Sequence, residues 1–234
     1  MSQRILITGA NRGLGLELVR QLAERGAAQI LAACRRPEAA DALQALADAH
    51  ASVTVLPLDV ADPTSRAALV TELGAHCDGL DWLINNAAIN TPGGNFEALD
   101  EAALAEMFLV NSIAPLMLSI ALSPYLRAGV APRVVHISSG AGSLDYAARS
   151  RSNLGYSATK AALNMYTRKQ AIAWQEEGII VYALAPGWVR TDMGGPNADI
   201  GVEESIAGCL RMIDGLTLSD SGGFGNYTGE VFPW

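Results

Sequence analysis

Tyr156 and Lys160 are the residues of this chain whose types and spacing most directly suggest chemistry. They stand four positions apart at the head of a helical pattern, which places both on one helix face. A free tyrosine titrates near pH ~10, too high for acid–base work at neutral pH, and a neighbouring ammonium would stabilise the phenolate and lower that value. Such a pair could exchange a proton with a substrate oxygen. By itself the spacing fits an ordinary surface pair equally well. A second stretch gives it a context: Thr8 to Gly15, reading Thr-Gly-Ala-Asn-Arg-Gly-Leu-Gly. Its glycines at 9, 13 and 15 lie between an apolar run (Ile5, Leu6, Ile7) and an amphipathic one (Leu14, Leu18, Val19, Leu22), where a strand must turn into a helix. With no Cβ in the way, the backbone can turn tightly and a pyrophosphate can lie against peptide N–H groups at the positive end of the helix.

If a dinucleotide binds there, its adenosine ribose meets the residue about twenty positions on, at the end of the second strand. Counting from Gly15 leads to Arg35, within Cys34-Arg35-Arg36, and no carboxylate occupies that strand end. A carboxylate would bond a free 2′-hydroxyl and repel a 2′-phosphate, whereas Arg35 does the reverse. Arg12, inside the glycine turn, could close on the same phosphate from the other side. The arginines favour NADP(H) over NAD(H).

The elements that must position these residues follow from the apolar pattern. Short continuous apolar runs at Ile5–Thr8, Ile30–Cys34, Val53–Leu58, Leu80–Ile84, Arg133–Ser138 and Ile179–Ala185 read as strands covered on both faces, with a weaker candidate near Glu230–Phe232. Helical patterns alternate with them: Leu14–Arg25, Glu38–Ala49, Ser65–Ala75, Glu101–Arg127, Tyr156–Glu177 and Val202–Ile213. The alternation predicts an α/β fold, a doubly wound Rossmann-type domain with a mostly parallel seven-stranded sheet and helices on both faces. Pro63 after Asp62 marks a helix start, Gly26 and Gly178 mark helix ends, and Pro115 predicts a kink in the long Glu101–Arg127 pattern. Thr91–Asn95, Gly140–Asn153, Gly194–Gly201 and Leu218–Asn226 read as loops within one domain spanning residues 1–234.

Composition narrows the partners. Half the residues are hydrophobic and the formal net charge is −8, which argues against nucleic acid and anionic membrane surfaces as ligands. Cys34, Cys77 and Cys209 are odd in number and scattered, and His50, His76 and His136 lack metal-ligand spacing, so no disulfide framework and no metal site are expected. The chain opens directly into a strand, and no apolar run reads as long enough to span a membrane, so a cytoplasmic protein is expected.

Along nearly its whole length the chain resembles the single-domain branch of the short-chain dehydrogenase/reductase family. The matching residues come in order: the Thr8–Gly15 turn, Asp59-Val60, Asn85-Asn86-Ala87, Asn111, Ser138-Ser139, Tyr156 with Lys160, and Pro186-Gly187 with Thr191. Arg133 to Ser139, Ala161 to Met165 and the Pro-Trp ending are similar to the carbonyl-reductase-like group that includes cell-signalling C-factor proteins. Ala88 stands where the family usually has glycine, and the sixteen residues between Ser139 and Tyr156 form a longer loop than in many members.

The resemblance implies a catalytic set. Tyr156 is the acid in carbonyl reduction, Lys160 lowers its pKa and bonds the nicotinamide ribose, Ser139 polarises the substrate oxygen, and Asn111 helps hold a proton-relaying water. Either Ser138 or Ser139 could face the substrate, and the family pattern points to the second. The implied cofactor contacts are Gly9, Asn11, Arg12, Gly13, Leu14, Arg35, Asp59, Val60, Asn86, Ala87, Gly187, Val189 and Thr191, with Tyr156 and Lys160. Asn86 and Ala87 are placed under the nicotinamide ribose, Asp59 and Val60 near adenine, and Thr191 near the carboxamide or pyrophosphate. The expected activity is NADPH-dependent reduction of a medium-sized ketone, aldehyde or quinone, or of an anionic carbonyl compound if Arg149 and Arg151 point inward. Trp188, Tyr146, Met193, Phe96, Arg149 and Arg151 are expected at the pocket rim. A signalling or interaction protein of the same fold, in which cofactor occupancy matters more than catalysis, is the competing reading. Nucleotide-sugar epimerase or dehydratase chemistry fits badly with a glycine spacing of 4 then 2. A homo-oligomer is expected, a dimer through the two long helices with Ala162, Met165, Tyr166 and Trp174 on the outer face, although the same residues could equally pack on the sheet.

Overall fold

Seven parallel strands form one sheet in the order β3-β2-β1-β4-β5-β6-β7. The structure is a computed structural model that describes residues 3–91, 100–147 and 153–234. The strands are β1 (Arg4–Thr8), β2 (Gln29–Cys34), β3 (Val53–Pro57), β4 (Trp82–Asn85), β5 (Arg133–Ile137), β6 (Ile180–Ala185) and β7 (Phe224–Asn226). Neighbouring residues of one strand enter different cores. Ile5 and Ile7 pack with Leu18 and Leu22 of α1 (Gly13–Glu24) and with Ile206 and Leu210 of a late helix, whereas Leu6 packs with Leu69 and Leu118 on the other face. Covering both faces is why the strands read as unbroken apolar runs.

The remaining helices are α2 (Asp41–Ala49), α3 (Pro63–Leu73), α4 (Glu101–Phe108), α5 (Ala114–Ala121), α6 (Ser123–Arg127), α7 (Leu144–Ala147), α8 (Leu154–Ala173) and α9 (Val202–Gly215). Asp62 caps α3 by accepting from Thr64 N, with Pro63 following it, as the sequence predicts. The chain runs from β1 outward to β3 and then crosses back to β4 on the other side of β1. That reversal opens a crevice at the carboxyl ends of β1 and β4, where ligands of such sheets bind.

Four expectations are corrected. The last strand is Phe224–Asn226, inside the stretch read as a loop, and the Glu230–Phe232 region contributes a single antiparallel bridge from Val231 to Gly225. The glycines that disguise this strand are needed by the packing: a Cβ on Gly225 would lie 2.5 Å from the Tyr182 hydroxyl of β6. The long helical pattern does not simply kink at Pro115 but passes through a π-helical turn, Leu109–Ile113, and ends in the separate α6. Glu101–Ala121 is, by length and composition, apolar enough to cross a membrane. Here its Val110, Ala114 and Leu118 belong to the protein's own core, and its buried Ser112 bonds the Thr159 carbonyl of α8. Finally, Trp174 packs beneath the sheet rather than on an outer face, leaving Met165 exposed while Ala162 and Tyr166 are half-buried.

Candidate active site

Two strand ends build the floor of the crevice. Gly9 has φ +66 and sits so close to β4 that a Cβ would lie 2.9 Å from Ala87 Cα, so both conformation and space require glycine. Thr8 holds the two strand ends together: its hydroxyl accepts from Asn86 N and Ala87 N, each at 3.0 Å. The Asn86 amide returns the contact, donating to Thr8 O at 2.9 Å and Gly9 O at 3.1 Å. From the far side of the crevice, the loop after β6 brings Thr191 to within 3.6 Å of where a Gly13 Cβ would be. The result is a cradle of backbone N–H groups at the start of α1, shaped for a pyrophosphate.

The wall beyond this cradle carries the titratable residues. Ser138 turns inward, buried, and donates to Asn164 Oδ1 of α8 at 2.6 Å. Alternation along the strand end turns Ser139 to the opposite side, where its hydroxyl faces the Tyr156 phenol and accepts from Ala141 N at 3.1 Å. Lys160, one turn after Tyr156 and 2% exposed, donates from Nζ to Ile137 O at 2.7 Å and lies 5.5 Å from the centre of the Tyr156 ring. Burial pushes the phenol up to about 12, with the Ser139 bond pulling the other way, and pushes the Lys160 ammonium down to about 7.

Asn111 is fully buried at the middle of the π turn. Its side chain clamps the strand-end backbone, accepting from Ile89 N and donating to Ile89 O, both at 2.8 Å, and it also donates to Thr159 Oγ1 at 3.1 Å. The π turn follows from the sequence next to it: Pro115, four residues on, has no N–H to give the Asn111 carbonyl its α-helical partner. That carbonyl is thereby left available to another donor.

These contacts make a nucleotide cradle beside a hydroxyl pair and a buried lysine, and comparison with known proteins places the arrangement. The model of the short chain dehydrogenase family matches residues 3–199. The chain belongs to the short-chain dehydrogenases. It is 41% identical to the C-signal of Myxococcus xanthus over 159 residues, covering 68% of this chain and 95% of that one. Its structure overlays on an NADPH-bound carbonyl reductase from chicken fatty liver with TM-score 0.95 and 38% identity, over 100% of this chain and 99% of that one. The carbonyl reductase Sniffer of D. melanogaster overlays equally well, TM-score 0.95, at 31% identity over 100% of both chains. The protein is thus a carbonyl-reductase-like, C-factor-like member of the family, an oxidoreductase by membership.

Burial disfavours charge on both groups, Lys160 being fully buried and Tyr156 half-buried, so the phenol is raised where a neighbouring ammonium was expected to lower it. The Asn86 side chain braces the glycine turn. Asp59 caps its own turn, accepting from Ala61 N at 3.0 Å, with Val60 buried beside it. Gly187 has φ +88, and Val189 is buried and bridged to Ile200. Asn11 and Arg35 are exposed and Leu14 is half-buried, all at the cradle's mouth. Arg12 pairs with Asp192 at 2.5 Å across that mouth, a partner that no local pattern announces. Trp188, Met193 and Tyr146 are exposed around the crevice, whereas Phe96, Arg149 and Arg151 lie outside the described residues. His136 of β5 is fully buried between Asn85 (3.2 Å) and Gln170 (2.9 Å), tying β4 and β5 to α8.

Proposed function

We propose that this protein reduces the carbonyl of a ketone, aldehyde or quinone to an alcohol with NADPH. The observation that carries the reading is the convergence of the Ser139 and Tyr156 hydroxyls at the carboxyl end of the sheet, next to a phosphate cradle. The cradle fits the cofactor: Gly9 and Gly15 let the turn close tightly on Ala87 and on itself at the N-terminal end of α1, where backbone N–H groups can take a pyrophosphate, and Arg12 and Arg35 offer guanidiniums to a 2′-phosphate. The chemistry supplied by bound NADPH is hydride delivery to the carbonyl carbon. Ser139 donates a hydrogen bond to the carbonyl oxygen, fixed in place by the turn that it caps. Tyr156 then gives its phenolic proton to the developing alkoxide. A phenol pushed up to about 12 arrives at neutral pH with that proton in place, and an alkoxide is a stronger base still. Lys160 holds the next proton beside the ring, and the Asn111 carbonyl accepts the water through which it is replenished.

The test follows the consumption of NADPH and NADH in parallel against a panel of carbonyl compounds. NADPH-dependent turnover is expected, with Tyr156→Phe losing about 10²–10⁴-fold in rate while still binding NADPH. Undiminished turnover in that variant, or a preference for NADH, would overturn the reading. Likeness to the C-signal favours a second reading, in which occupancy rather than turnover carries the biological effect. There the Tyr156→Phe/Lys160→Ala double variant keeps the effect. Exposed Ile113, Met117 and Ile120 beside Met165 support a dimer through this helical face, which sedimentation equilibrium would detect.

A further inference from the structure

We infer that Val231–Trp234 is a prop for the substrate-facing wall, with Phe232 and Trp234 as positioning residues for the segment from Ser139 to Tyr146. The inference rests on the carbonyl-reductase reading for what the wall does, and on contacts alone for the prop itself. After β7 the chain reverses through a turn closed by Asn226, whose Oδ1 accepts from Thr228 N at 3.0 Å and Glu230 N at 3.1 Å. The returning segment pairs back on β7, with Phe232 N donating to Phe224 O at 2.9 Å. This seats the Phe232 ring 5.2 Å from Phe224, which is 1% exposed and rooted in the sheet.

From that anchor the segment reaches the wall at three points. The Phe232 ring lies 5.5 Å from that of Tyr146 in α7. The Trp234 carbonyl accepts from Asp145 N, at 3.2 Å, on the same short helix. The Trp234 ring is held between Phe224 at 5.5 Å and the guanidinium of Arg168 of α8 at 5.2 Å. Gly140, directly after Ser139, marks the convergence: a methyl there would touch Tyr146 at 3.4 Å and Phe232 at 3.6 Å.

The wall needs such support. Among the described residues, α7 runs over Leu144–Ala147, and its Leu144 and Tyr146 are mostly exposed. Besides the adjoining Gly140–Gly142 turn and the Ser143 hydroxyl, which accepts from Tyr146 N at 3.0 Å, it is the returning segment that holds this helix. Removing the Phe232 ring therefore loosens Tyr146 and the turn that Ser139 caps, without touching the nucleotide cradle on the other side of the crevice.

The experiment compares the full chain with Phe232→Ala, Phe232→Tyr and Trp234→Ala. Hydrogen exchange is read at the amides of residues 140–147, together with NADPH affinity and the KM and kcat for a carbonyl identified in the panel. An aromatic pair of this kind predicts a KM about 2- to 12-fold higher in Phe232→Ala, with kcat lowered by no more than the same factor, NADPH affinity unchanged and Asp145 exchanging faster. Phe232→Tyr keeps the ring and restores the wild-type KM. Trp234→Ala, outside the core, gives faster exchange at Asp145 even if Phe232→Ala does not fold. Unchanged exchange in Trp234→Ala, or loss of NADPH affinity in step with carbonyl affinity, would overturn the prop. If no carbonyl is turned over, the reductase reading fails while the exchange measurement still decides this one.

Discussion

Replacing Lys160 with methionine should stabilise the folded protein at pH 7 even as it abolishes turnover. Lys160 is 2% exposed and its ammonium is pushed down from 10.5 to about 7 by burial. Between those values the unfolded chain binds the proton and the folded one releases it. The stability is therefore whole above pH 10.5 and is lost as pH falls to about 7. At pH 7 the loss amounts to about 4 kcal/mol, and at pH ~10 it shrinks to about 1 kcal/mol. Methionine has similar length and no charge, so it removes this cost. It also leaves Ile137 O without the 2.7 Å bond from Nζ, which costs about 1–3 kcal/mol. The balance is a gain of about 1–3 kcal/mol at pH 7, and none or a small loss at pH ~10. Urea denaturation of both proteins at the two pH values measures it. A variant no more stable than wild type at pH 7, or a difference that does not shrink on going alkaline, would show that Lys160 is not held under strain by burial.

Three further outcomes follow from the same contacts. Ser138→Ala leaves Asn164 buried without its 2.6 Å partner and should cost about 1–3 kcal/mol in denaturation with kcat little changed, whereas Ser139→Ala should lower kcat about 10²–10³-fold with a smaller loss of stability; the reverse pattern in paired kinetics and unfolding would exchange their roles. Asp192→Asn frees Arg12 from a pair whose side chains are 66% and 79% exposed, so the effect is solvent-screened: NADPH affinity by fluorescence titration should rise by no more than about fivefold and NADH affinity stay constant, while weaker NADPH binding would mean that Asp192 assists the cofactor. Buried His136 is pushed down from 6.5 to about 4, so the unfolded chain takes its proton first and stability falls as pH drops through that window, by about 3 kcal/mol in all. Urea midpoints between pH 7 and 4 should show this dependence, and His136→Leu should flatten it.

Much of this molecule could be read along the chain because the signals are local. The strands are covered on both faces, so Ile5 to Ile7 and Val134 to Ile137 appear as unbroken apolar runs, and Pro63 after Asp62 announces a helix start whose cap is made within two residues. Strand β7 was hidden for an equally physical reason: Gly225 is dictated by Tyr182 on the neighbouring strand, and glycine written along the chain reads as a loop. The π turn carried a partial signal in Pro115, which marks a disturbed helix but does not say that the disturbance lies before it, around Asn111.

The sequence by itself determined the alternation of strand and helix, the glycine turn between Thr8 and Gly15, and the four-residue spacing of Tyr156 and Lys160, since each depends only on neighbours in the chain and on helix or strand period. Tertiary structure alone decided which serine faces the crevice, because Asn164 claims Ser138 from 26 residues away. It also decided that Arg12 meets Asp192 across 180 residues, and that Tyr156 keeps its proton beside Lys160. Pairing across the crevice and exclusion of water are properties of the packed molecule, and a phenol or an ammonium acquires its acidity from what surrounds it after folding.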